Sequence, residues 1–210
     1  PIIMLKRFYS YISLLFASVA LVACTDDGVP KQGTHFELLP SALSSDLVSP
    51  VTEVFSLNCG HCRSMEKFLP EIESELSEKI GKVHVTFNES AQIGALIYYA
   101  AEMQLDTTPD HQMMDELFAA AQMGKGFTQD EIKQATEKVF TSRGLISPYE
   151  FNEEQQKTLF EHISNAETVT HQAQINAVPT FIINGKYQVV TSGHKDVKDI
   201  AKTINYLLTL

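Results

Sequence analysis

Val51-Thr52-Glu53-Val54-Phe55-Ser56-Leu57-Asn58-Cys59-Gly60-His61-Cys62 runs from an apolar strand pattern straight into two cysteines three residues apart, and its reading decides the fold. The alternation from Val51 to Leu57 predicts a β-strand. Its face through Val51, Glu53, Phe55 and Leu57 is apolar except for one carboxylate. After the second cysteine, Met65, Phe68, Leu69, Ile72, Leu76 and Ile80 recur at helical spacing. Pro70 is expected to kink that helix and Gly81 to stop it. The cysteines therefore sit where a strand hands over to a helix. The first N–H groups of a helix lack intrahelical partners and carry partial positive charge, so a thiolate is stabilised there. Cys59 is expected to have a depressed pKa, helped by charge or a hydrogen bond from His61. Cys62, one turn further in, should stay a protonated thiol. These positions assign roles: Cys59 exchanges with substrate, and Cys62 closes the internal disulfide. A thiolate stabilised in the reduced form makes the disulfide easier to reduce, hence oxidising.

The rest of the chain predicts an α/β fold interrupted by helices. Upstream, Phe36 to Leu39 reads as a short strand and residues 41–50 as a loop. Downstream, Val83, Val85 and Phe87 alternate with His84 and Thr86, giving a strand over Lys82 to Phe87. Ser90 is placed to cap a helix with Ile93, Leu96, Ile97, Ala100 and Ala101 inward. From about Asp106 to Gln174 the pattern is helical only. Met113, Met114, Leu117, Phe118 and Ala121 form a core stripe, and Gly124-Lys125-Gly126 is a turn between helices. Thr128 to Glu131 and Ser147 to Glu150 match capping boxes, and a long polar helix covers about 153–174. Thr180 to Asn184 and Lys186 to Thr191 form strands joined at Asn184-Gly185, a two-residue hairpin signal. Val197, Ile200, Ala201, Ile204, Leu207 and Leu208 mark a final amphipathic helix. One α/β domain thus spans 34–105 and 175–210, with a helical domain, 106–174, inserted into it.

Composition bounds the function. The 210 residues are 44% hydrophobic and 20% charged, as in an ordinary globular protein. The net charge of −10, with no Lys/Arg cluster, opposes binding to a phosphate backbone, so nucleic acid is not an expected partner. The three cysteines are Cys24, Cys59 and Cys62. A Cys-x-x-Cys loop is too short to staple a fold. A structural zinc needs four ligands, and no second cysteine pair or His-x(3–5)-His follows. The other histidines (35, 84, 111, 162, 171 and 194) are scattered. No metal is therefore expected, and the redox-active pair needs no separate cofactor.

The first 23 residues read as a signal peptide: Lys6 and Arg7, then a mostly apolar run from Phe8 to Ala23, short for a membrane span. It ends Leu21-Val22-Ala23-Cys24, which resembles a bacterial lipobox and makes Cys24 an expected lipid anchor. The alternative is cleavage after Ser18-Val19-Ala20, leaving Cys24 a free thiol. Removing residues 1–23 would leave −12 over 187 residues. Residues 24–33 then read as a flexible tether.

Glu53-Val54-Phe55-Ser56-Leu57-Asn58-Cys59-Gly60-His61-Cys62 resembles the active-site segment of the DsbA family of periplasmic thiol oxidases. Ala177-Val178-Pro179-Thr180-Phe181-Ile182-Ile183-Asn184-Gly185-Lys186-Tyr187 resembles its second signature. The resemblance covers nearly the whole chain after Gly33. It implies a thioredoxin-like fold with an inserted helical domain and a cell-envelope location on the periplasmic side. It also implies a monomeric dithiol oxidase that acts on reduced exported proteins and is reoxidised by a quinone-linked membrane partner. Pro179 would be the family's cis-proline, and Val178 would offer backbone hydrogen bonds to a substrate peptide. One departure matters. Gly60-His61 stands where the family usually has Pro-His, and Gly-His is the dipeptide of protein disulfide isomerase.

Glu53 can be read on its own. A carboxyl on an apolar strand face should have a raised pKa and could exchange protons with Cys62. The alternative is a glutamate that reaches the surface at a strand end. Two other functions stay open: a reductase or isomerase in the same compartment, and a lipid-anchored binding or chaperone module with incidental cysteines.

Overall fold

The computed structural model describes residues 28–124 and 126–210. The signal segment, Cys24 and Lys125 lie outside the described residues.

Five strands form one mixed sheet: β1 (Phe36–Leu38), β2 (Val51–Phe55), β3 (Ile80–His84), β4 (Thr180–Ile183) and β5 (Tyr187–Val189). Their order is β1-β5-β4-β2-β3, and only β2 and β3 run parallel. That parallel pair needs a crossover, which α1 (Gly60–Glu66) and α2 (Leu69–Ser74) supply. The helices α3 (Glu89–Leu105), α4 (His111–Ala121), α5 (Gln129–Thr141) and α6 (Glu153–Gln172) follow, and α7 (Val197–Leu208) closes the chain.

Helices cover the sheet on both faces. On one side Phe36, Val51, Phe181 and Ile183 meet Leu69 and Ile72 of α2 and Ile200, Ile204 and Leu207 of α7. On the other, Val54, Phe55, Val83 and Ile182 meet Tyr98, Met113, Met114, Leu117, Phe118, Phe140 and Val169 from α3 to α6. Two covered faces explain why all five residues of β2 are buried, Thr52 and Glu53 among them, where alternation alone predicted one apolar face.

Two of the local signals hold. Thr128 and Glu131 form the capping box of α5. Asn184 (φ 52) and Gly185 (φ 63) make the hairpin turn, and a Cβ on Gly185 would lie 2.7 Å from the Leu43 carbonyl oxygen.

Several boundaries move. The helix expected to run to Ile80 is two short helices, with Pro70 in the first turn of the second. The break resets the helical phase, so Phe68 caps α2 and is exposed. Ile80 and Gly81 belong to β3, opposite Val51 and Thr52. Gly81 is not a helix stop; a Cβ there would lie 2.5 Å from Ser49 Oγ. Asn88 rather than Ser90 caps α3, accepting from the Ala91 N–H, and the buried face of the helix runs through Ala91, Ala95, Tyr98 and Ala101, which leaves Ile93 exposed. Ser147 caps only a short 3-10 helix, Pro148–Glu150. The capping box of α6 is Asn152 with Gln155. Among the described residues no helix is long and apolar enough to cross a membrane.

Candidate active site

Strand β2 ends at Phe55, and Ser56 to Asn58 carry the chain to Cys59, the N-cap of α1. Two side chains from distant elements, and Asn58 within it, hold that connection. His84, fully buried at the end of β3, accepts the Leu57 N–H on Nε2 at 2.8 Å. Its Nδ1 lies 2.7 Å from the Val85 carbonyl, so the ring is neutral with its proton on Nδ1. Burial pushes its pKa down to about 4. Gln122, the C-cap of α4, donates through Nε2 to the carbonyls of Leu57 (2.8 Å) and Cys59 (3.1 Å). Asn58 donates to the Ser90 carbonyl.

The two sulfurs are free thiols in unlike surroundings. Cys59 Sγ is half-buried and accepts the Cys62 backbone N–H at 3.2 Å. A hydrogen bond from the Cys62 thiol, the N–H groups of Cys62 and His61 and the charge of His61 together outweigh burial. They lower the Cys59 pKa from 9.0 to about 6. Cys62 is fully buried, and that hydrogen bond, burial and the nearby carboxylate of Glu53 push its thiol well up. The Val178–Pro179 bond is cis. The Val178 carbonyl lies 3.6 Å from Cys59 Sγ, and Val178 and Pro179 are half-buried.

Glu53 is buried, but it is not a lone acid. Lys82 Nζ donates to Glu53 Oε2, and to Glu66 Oε2 of α1 at 2.8 Å. Burial raises the Glu53 pKa against the pull of Lys82. Glu66 Oε1 meets His111 Nδ1 of α4 at 2.7 Å, and His111 Nε2 faces Glu73 Oε2 of α2 at 3.2 Å. Lys82, Glu66, His111, His84 and Gln122 were not singled out from the sequence. A lysine inside a run of strand valines was the one available signal. Among the described residues no group of three or more His, Cys, Asp or Glu side chains is arranged to hold a metal ion.

A family model described as Thioredoxin matches residues 48–206, from before β2 to within α7. The chain belongs to the thioredoxin family. Both the cysteine pair and Pro179 fall inside the matched span. Solved structures extend the likeness to the inserted helices. The disulfide oxidoreductase DsbA from Proteus mirabilis superposes with a TM-score of 0.63 at 20% identity, covering 88% of this chain and 100% of that one. The oxidoreductase DsbA from Xylella fastidiosa gives 0.66 at 17% identity, covering 86% and 97%. A Proteus mirabilis DsbA complex with a non-covalently bound peptide gives 0.62 at 21%, covering 86% and 99%. This thioredoxin-family chain therefore has the thioredoxin-like fold with an inserted helical domain.

Proposed function

We propose that the protein is a thiol:disulfide oxidoreductase that introduces disulfides into exported proteins. The observation that carries this is the contrast between the two sulfurs, one stabilised as a thiolate at a helix start and one buried as a thiol. In the oxidised protein a substrate thiolate attacks Cys59 Sγ. The new bond joins substrate sulfur to Cys59, the Cys59–Cys62 bond breaks, and its electron pair goes to Cys62, which takes a proton. The substrate's second thiol, deprotonated, then attacks its own sulfur in the mixed disulfide. Cys59 leaves as the stabilised thiolate, and the substrate departs oxidised.

The Val178 carbonyl beside Cys59 suits an extended peptide. The peptide bound to one DsbA neighbour supports such a substrate. The DsbA neighbours, with the signal-like N-terminus, support a periplasmic location. Cys24 is the proposed lipid anchor, and a quinone-linked membrane protein the proposed reoxidant. Cys24→Ser should release protein from the membrane; wild-type protein already soluble, with Leu21 as its mature N-terminus, rejects the anchor.

The test is the reduction potential of the Cys59–Cys62 pair, with oxidation of a reduced, unfolded dithiol protein measured alongside. A potential above about −200 mV with turnover supports an oxidase. A value near about −270 mV selects a reductase. An unreactive pair leaves a binding module.

A further inference from the structure

Behind the redox pair lies a buried charge cluster with one acid too many. Lys82, Glu53 and Glu66 have side chains only 3%, 1% and 4% exposed. Two carboxylates share one ammonium, and an uncompensated buried charge is strongly unfavourable. The second oxygen of Glu66 reaches His111, whose side chain is 43% exposed. The line Glu53, Lys82, Glu66, His111 therefore runs from the protein interior to water. At its inner end Glu53 Oε1 is the buried side-chain polar atom left without a partner among the described residues. The charge of Glu53 pushes the Cys62 thiol up, and the charge of Cys59 in turn raises the Glu53 carboxyl.

We propose that His111 is the solvent-facing end of a proton path that serves the buried Cys62 thiol through Glu66, Lys82 and Glu53. The inference rests on the exchange chemistry proposed above. With His111 protonated, Glu66 has its own cation, Lys82 belongs to Glu53, and all four groups are charged in balance. With His111 neutral, one proton must stay inside, and Glu53, the most buried acid, holds it. His111 and Glu53 are thus two homes of a single proton.

Exchange uses that proton. When substrate sulfur bonds to Cys59, the electron pair left on Cys62 Sγ takes the proton of the Glu53 carboxyl. Lys82 reprotonates Glu53 and is itself reprotonated from Glu66 and His111, and His111 takes a proton from water. The substrate dithiol supplies the electrons, and no other reductant enters. Around His111 the facing groups are Glu66 of α1, Glu73 of α2, Lys82 behind Glu66, and Asp110, the N-cap of its own helix. Arg63 of α1 is turned to Asp115 at 3.7 Å. Burial opposes the imidazolium, but the hydrogen bonds from Glu66 and Glu73 outweigh it, so the His111 pKa is raised.

The experiment mixes full-chain oxidised protein with a fluorophore-labelled dithiol peptide between about pH 5 and pH 8. Wild type is compared with His111→Gln, which keeps a hydrogen-bond donor to Glu66 but cannot carry the proton, and with His111→Ala. Both variants should lose the inflection due to His111 and fall about 10-fold at neutral pH. Both should regain rate in proportion to added imidazole, while Cys59 alkylation in the reduced protein stays as in wild type. A Gln variant with the wild-type pH profile, or a loss that imidazole does not restore, makes His111 structural and overturns the path. Wild-type protein that leaves the peptide reduced at every pH overturns the exchange chemistry as well.

Discussion

Replacing Cys62 by alanine should raise the pKa of Cys59, a consequence that the helix start alone would not suggest. The largest cause of the Cys59 depression is the hydrogen bond from the Cys62 thiol, ahead of the N–H groups of Cys62 and His61. At neutral pH a pKa of about 6 leaves roughly ten thiolates per thiol, whereas an ordinary thiol at 9.0 is roughly one per cent ionised. The full effect is therefore about 90-fold in thiolate population. Cys62→Ala removes the first contribution and keeps the backbone donors, so its midpoint should fall between these limits. Cys62→Ser, which keeps an O–H donor, should bring it back down. The assay is the pH profile of iodoacetamide alkylation, with Cys24→Ser to remove the third thiol. A midpoint unchanged in Cys62→Ala would mean the thiol hydrogen bond contributes nothing. A rise all the way to 9.0 would mean the helix start contributes nothing. The folded value lies below the unfolded one. The thiolate thus stabilises the reduced fold fully above about pH 9, and that part is lost as pH falls through about 6. Urea midpoints of reduced protein should show this slope, and Cys59→Ser should flatten it.

Other perturbations follow from the same geometry. Lys82→Met leaves Glu53 and Glu66 buried without their shared cation. It should cost about 3–5 kcal/mol at neutral pH and less in acid, where the carboxyls take up protons; a loss under about 1 kcal/mol in urea unfolding would contradict the pairing. The His84 pKa is depressed to about 4 from 6.5, so the unfolded chain binds the extra proton first. Stability should fall by about 3 kcal/mol as pH drops from 6.5 to 4, and His84→Gln should flatten that slope; an unchanged slope would place the acid sensitivity elsewhere. Gly60 stands at the first position of α1, with open space around an added Cβ. Gly60→Pro should therefore raise stability by about 0.4–1 kcal/mol in thermal unfolding, and a loss would show a strained backbone there.

The sequence alone determined the features that rest on a few consecutive residues. The placement of Cys59 at a strand–helix junction, the Asn184-Gly185 turn and the Thr128 capping box are local, since torsional preference and short hydrogen bonds specify them. It also located Glu53 on a buried strand, because a carboxylate among valines and phenylalanines stands out. Its largest misreading came from helical spacing, which carried the first helix through to Ile80, whereas α2 ends at Ser74 and Ile80 pairs with Val51 in the sheet. What surrounds Glu53 was decided by tertiary structure. The parallel register sets Lys82 opposite Glu53, 29 residues away in sequence. The seating of α4 brings His111 to Glu66 across 45 residues, and Gln122 to Leu57 across 65. Such pairings depend on strand register and helix docking, which no single segment encodes. Burial then decides which of the charges so assembled can remain charged.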